Sequence, residues 1–195
     1  MNKEIPFFDY KKIYSENSHE LNKIFENIGN RGAFIMQSDL KEFERRIGLI
    51  LKNEYVLGVG NATDGLEILL QLKNLKKGDE IIISSHTMLA TAGAIISQGG
   101  KPVPVDISND WLISPEAVEA AITKNTVGIM PTQLNGRCCD MHKIMEIAKK
   151  NSLFVIEDSA QALGSSFRSI PAGTFDSGGC FSFYPAKTLG CLGDG

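Results

Sequence analysis

Residues 127–157 read VGIMPTQLNGRCCDMHKIMEIAKKNSLFVIE, and this stretch decides the fold. Its first six residues form a short apolar run suited to a buried strand. Asp140 then stands where a helix N-cap belongs, and Ile144, Met145 and Ala148 recur behind it on one helical face. A second apolar run at residues 153–157 follows Asn151 and Ser152. Strand, helix and strand within about thirty residues is the crossover unit of a parallel sheet.

The same alternation extends in both directions. Strand-like runs lie at residues 55–60, 80–84, 101–107 and 180–184. Between them, Leu66, Leu69 and Leu70 mark a helix over residues 63–72, and Ser114-Pro115 reads as N-cap and first-turn proline for residues 116–122. Residues 88–96 are apolar and helical, but Thr91 and Gly93 interrupt them far short of the roughly 20 residues a membrane helix needs. The first fifty residues are more charged, with Ser38 as a cap before Leu40, Phe43, Ile47 and Leu51. The expected organisation is α/β: a helical arm over residues 1–31, then residues 32–195 with a mostly parallel, mixed central sheet flanked by helices.

Composition removes several function classes. Twenty basic against 23 acidic residues in a chain of 195 give a net charge of −3, with no basic run to neutralise phosphates, so no nucleic-acid partner is expected. A 43% hydrophobic and 22% charged content describes a globular chain with a real core. Met1-Asn2-Lys3-Glu4-Ile5-Pro6 lacks the order of a signal peptide, and no membrane association is expected. Cys138, Cys139, Cys180 and Cys191 form no paired Cys-x-x-Cys units, so the expectation is a cytoplasmic protein with reduced thiols and no metal.

In open α/β sheets, ligands bind beyond the carboxyl ends of the strands. Three such places carry chemistry. Ala62-Thr63-Asp64-Gly65 opens a helix, offering free N–H groups and a hydroxyl to a phosphate; taken alone, an ordinary capped helix accounts for it better. Thr63 excludes a dinucleotide fingerprint, and Leu66 after Gly65 excludes a Walker loop. Glu157-Asp158 ends a strand with acids that can serve a metal, a ribose or a protonated ring nitrogen, or can simply cap a helix. Phe181-Ser182-Phe183-Tyr184-Pro185-Ala186-Lys187 places an amine after aromatics and a proline, with no other charge before Asp194. A desolvated neutral amine attacks carbonyls, although a surface lysine is the commoner fate. Amine, anion and phosphate donors together fit pyridoxal phosphate.

These motifs give the chain a resemblance to the DegT family of sugar-nucleotide aminotransferases, which have the aspartate-aminotransferase type of pyridoxal-phosphate fold. It runs from about Gly32 to Gly195 and is carried by Glu157-Asp158-Ser159-Ala160-Gln161-Ala162, by the segment ending in Lys187, and by Leu192-Gly193-Asp194-Gly195. The resemblance implies that Lys187 bonds the cofactor's aldehyde and later moves a proton. It implies that Asp158 pairs with the ring nitrogen, Gln161 with the phenolic oxygen and Ser182 with the phosphate. Ala62, Thr63 and Asp64 occupy the family's first phosphate-binding turn. Met88 stands where the family usually stacks an aromatic on the ring, a weaker thioether cover. His86 is read as structural, and Gln133-Leu134-Asn135-Gly136 stands at a substrate-side loop with no chemistry assigned.

The implied reaction moves an amino group from glutamate or glutamine to a keto group of a nucleotide-linked sugar, in a homodimer. Family members carry a further C-terminal domain, and only eight residues follow Lys187, so the cofactor domain alone is expected here, truncated at its end and binding cofactor poorly. Two alternatives stand beside this reading. A sugar dehydratase of the same family would replace the lysine with histidine, which Lys187 argues against. A non-catalytic remnant or regulatory module would fit the abrupt end.

Overall fold

The structure, a computed structural model, describes residues 5–195, so the signal-peptide reading of residues 1–4 lies outside the described residues. The chain divides into two compact units. One holds the residues up to Leu49 with Glu54–Gly58, and the other holds Ile50–Asn53 and Val59–Gly195.

Helix α1, Tyr10–Arg31, starts where the Asp9 carboxylate accepts the Lys12 N–H at 3.0 Å and stops at Gly32, whose φ of 61° suits a residue without Cβ. Helix α2, Ser38–Leu51, begins one residue earlier than the sequence suggests. The Gln37 carbonyl already accepts from the N–H groups of Leu40 and Lys41, so Ser38 is a helical residue and not the cap. The strand expected at residues 55–60 does not form. Glu44 takes the Gly58 N–H at 2.8 Å, which a ladder would otherwise use, and Tyr55 and Leu57 face solvent.

The second unit runs α3 Ala62–Gln71, β1 Glu80–Ser84, α4 Leu89–Ser97, β2 Lys101–Val105, α5 Pro115–Ala121, β3 Thr126–Met130, α6 Met141–Lys150 and β4 Phe154–Val155. Its four strands lie in the order β2-β1-β3-β4, all parallel. Past Ile156 the chain resumes as β5, Glu157–Asp158. A hairpin of β6 Ser166–Phe167 and β7 Ile170–Pro171 follows, then β8 Gly179–Cys180 pairs parallel with β5. The run expected at residues 180–184 is thus mostly not strand, because Phe183 pairs its backbone with Gly195 and Cys191 instead.

Both faces of the sheet are covered, which is why Ile81, Ile82 and Ile83 are buried without alternation. Ile82, Ile129 and Val155 pack with Val118, Met141 and Ile144 of α5 and α6. Ile81, Ile83, Met130 and Ile156 pack with Leu66, Leu70, Ala94 and Ile95 of α3 and α4. Met145, expected as a core contact, lies partly buried against the first of these clusters. Among the described residues, no helix is long and apolar enough to cross a membrane.

Candidate active site

Loops after β1, β3, β5 and β8 meet at the carboxyl end of the sheet, with Asp158 at their centre. Asp158 ends β5, and its backbone is pinned on both sides. Its N–H donates to the Pro131 carbonyl at 3.0 Å, and its carbonyl accepts the Gln133 N–H at 2.9 Å. The residue is 3% exposed. Oδ2 accepts from the Thr91 hydroxyl at 2.6 Å, and Oδ1 accepts from the Ala160 N–H at 3.2 Å. Burial pushes this carboxyl above the usual range, while the Thr91 hydrogen bond, the Ala160 N–H and the positive charge of Lys187 pull it back.

Lys187 lies on the turn after β8, and its charge is the least of the influences that favour the Asp158 anion. It is half-buried, on a turn closed by its own N–H to the Tyr184 carbonyl at 2.8 Å. Ser182 is also half-buried. Its hydroxyl lies 3.3 Å from the Gly195 carbonyl and accepts the Tyr184 N–H at 3.2 Å.

Gln161 is placed by the loop at residues 133–136, to which the sequence assigned no chemistry. The Asn135 N–H donates to Gln161 Oε1 at 3.0 Å, and the Gly136 N–H donates to the Gln161 carbonyl at 2.9 Å. With its oxygen occupied, the amide NH2 is what Gln161 can offer a ligand oxygen. Asn135 adopts φ 53°, a left-handed conformation that asparagine tolerates.

Ala62, Thr63 and Asp64 open α3. The Asn61 side chain caps this helix by accepting the Asp64 N–H at 2.9 Å, so that one donor is already used. A Cβ on Gly65 would lie 2.8 Å from Cys180 Sγ, which places the start of α3 against the strand leading to Ser182. Met88 is the N-cap of α4 and is 68% exposed, free to lie against a planar ring. His86 Nδ1 lies 3.3 Å from the Trp111 carbonyl, in keeping with a structural role.

Sequence reasoning missed Thr87, Thr91 and Thr132, which join Asp158 through hydroxyls, and gave the acid beside it no role of its own. Glu157 is fully buried and accepts from Gln133 Nε2 at 2.6 Å, Gly173 N–H at 2.9 Å and Phe175 N–H at 2.8 Å.

A buried carboxylate with unfilled lone pairs, a half-buried lysine on the turn after β8 and a helix start carrying the Thr63 hydroxyl fit the needs of pyridoxal phosphate. The comparisons point the same way. A pleiotropic regulatory protein of Geobacillus stearothermophilus is 36% identical over 192 residues, covering 98% of this chain and 52% of the relative. The dTDP-3-amino-3,4,6-trideoxy-alpha-D-glucose transaminase of Streptomyces venezuelae is 35% identical over 192 residues, covering 98% and 51%. The crystal structure of NtdA from Bacillus subtilis with bound cofactor PMP superposes with a TM-score of 0.89 at 31% identity, covering 99% of this chain and 45% of that one. The chain spans about half the length of the curated relatives it matches. The model of one family covers residues 15–195, and on that match the chain belongs to the DegT/DnrJ/EryC1/StrS aminotransferase family.

Proposed function

We propose that this protein is a pyridoxal-phosphate-dependent aminotransferase that moves an amino group from glutamate or glutamine to a keto group on a nucleotide-linked sugar. The observation that carries the reading is Asp158, a buried carboxylate held by two donors at the end of β5. The named transaminase among the relatives supports the substrate class.

Asp158 would hold the ring nitrogen, Lys187 the aldehyde carbon and Gln161 the phenolic oxygen. Thr63, Ser182 and the N–H groups of Ala62 and Thr63 would form the phosphate side of the site, with Asp64 on the same turn, and Met88 would cover the ring. The cofactor, once bound, supplies an electron-withdrawing ring that stabilises negative charge on a neighbouring carbon. Lys187 Nζ would carry the proton between carbons, the role that the segment at residues 181–187 gives it by resemblance to the family. Asp158, shut from water, keeps its negative charge where the ring nitrogen needs it.

The same reading makes the enzyme a homodimer in the cytoplasm, the second point supported by four free cysteines among the described residues. The regulatory name of one relative favours a second reading, a non-catalytic module; a buried Asp158 carboxylate with lone pairs to spare has no use in that role.

The test is to load the protein with pyridoxal phosphate, reduce it with borohydride and map the label. The label is expected on the peptide holding Lys187, together with 2-oxoglutarate formation from glutamate and a nucleotide-linked keto sugar. A label on another lysine, such as Lys143, overturns the assignment.

A further inference from the structure

Three threonines from different parts of the chain form one hydroxyl series ending on Asp158. Thr132 Oγ1 lies 2.7 Å from Thr87 Oγ1, Thr87 Oγ1 lies 2.7 Å from Thr91 Oγ1, and Thr91 Oγ1 donates to Asp158 Oδ2 at 2.6 Å. Thr91 and Thr132 are buried and Thr87 is half-buried, so water does not compete freely for these bonds. We propose that Thr91 is a positioning residue for the Asp158 carboxylate, and that Thr87 and Thr132 act through it as a relay that aligns three hydroxyl dipoles on one oxygen.

The proton count fixes the direction. A carboxylate only accepts, so Thr91 spends its one proton on Oδ2. Thr91 must then accept from Thr87, and Thr87, its proton spent, must accept from Thr132. Each bond polarises the next, and all three point at the negative charge. Protonation of Oδ2 would require Thr91 to turn its hydroxyl away and the whole series to reverse. The relay therefore favours the charged acid in a place where burial alone opposes it.

The other groups facing Asp158 are few. Lys187, from the turn after β8, favours the anion by charge. Cys180, on the paired strand, has its thiol pushed up to about 12 by burial first and by Asp158 second, so it stays neutral across the working range. Thr91 comes from α4, Thr132 from the loop after β3, and the Ala160 N–H from the turn after β5.

The value of the relay for catalysis rests on the proposed function, but the relay itself is tested without cofactor. Carbon-13 NMR of the Asp158 carboxyl in the full chain reads its titration midpoint directly. Thr91→Val should raise that midpoint by about one to two pH units, the worth of a hydrogen bond to a charged group. Thr91→Ser should restore it, and Thr87→Val should raise it by a smaller, measurable amount. High salt should weaken the effect of Lys187→Ala while leaving that of Thr91→Val in place. An unmoved midpoint in Thr91→Val overturns the proposal, as does a failure of Thr91→Ser to restore it. If Thr91→Val does not fold, Thr87→Val decides, since a midpoint equal to that of the parent chain sinks the relay. Loss of the relay would leave the borohydride label on Lys187 untouched, so the two proposals fail separately.

Discussion

Glu157 and Asp158 are neighbours in sequence and opposites in use. Successive strand residues point to opposite faces, so Asp158 meets Thr91 and the Lys187 charge while Glu157 meets Gln133, Gly173 and Phe175. Asp158→Asn keeps shape and removes the anion. Turnover should fall by about two orders of magnitude or more, while cofactor affinity weakens by about tenfold. Steady-state kinetics beside a cofactor titration separate the two; equal losses would make Asp158 structural. Glu157→Gln behaves differently, because all three of its partners donate. An amide NH2 would face an N–H whichever way it turns, leaving a buried donor unpaired at a cost of about 3 kcal/mol, read as a lower urea midpoint. From residues alone both acids were candidates at a strand end; the family motif singled out Asp158. The three threonines stayed hidden because Thr91 and Asp158 are 67 residues apart, a pairing no local pattern encodes.

Elements bounded by capping chemistry were the readable ones. Ser114 before Pro115 and Asp140 before α6 act as caps as expected, each accepting an N–H three residues on. Strands whose three isoleucines fill both faces were also legible, since only a covered parallel sheet needs such a run. What failed were extended segments whose partners are tertiary, at residues 55–60 and after Cys180, where side-chain and loop bonds replace a ladder. The β6–β7 hairpin went unseen because Arg168 and Ser169 supply its positive φ angles of 49° and 68°, where a glycine would have announced the turn. Gly65 tests how α3 is seated. Alanine there should gain about 1 kcal/mol of helix propensity, but its Cβ would sit 2.8 Å from the sulfur of buried Cys180. Overpacking of this kind costs about 1–3 kcal/mol, so Gly65→Ala should lower the melting temperature. Cys180→Ala in the same chain should recover most of the loss, and additive losses would show that the two residues do not touch.

Across the molecule, carboxylates fall into two groups that pull stability in opposite directions with pH. Glu42, held down to about 2 by Arg45 and then Arg46, belongs to the first, with Asp39, Glu80 and Glu116, each lowered chiefly by a hydrogen bond. Their contribution is present above the ordinary carboxylate range and is lost as pH falls through their depressed values. The pairings of Asp39 and Glu42 are exposed, so salt weakens them. Asp158 and Glu157 form the second group, raised chiefly by burial. A raised folded value reverses the sign: the folded state binds a proton more tightly than the unfolded chain. That contribution is complete below the unfolded pKa near 4 and disappears as pH rises through the raised value. The cofactor site thus holds its charge at the expense of the fold. Asp158→Asn cannot ionise, so its stability relative to the parent chain should grow as pH climbs from about 4 toward neutrality, with no further gain once Asp158 is fully ionised. Urea midpoints of both proteins across that range measure the difference. A gap that stays flat would mean that burial does not raise Asp158; a gap that shrinks would mean that its donors and Lys187 outweigh desolvation, and that ionising this acid stabilises the fold.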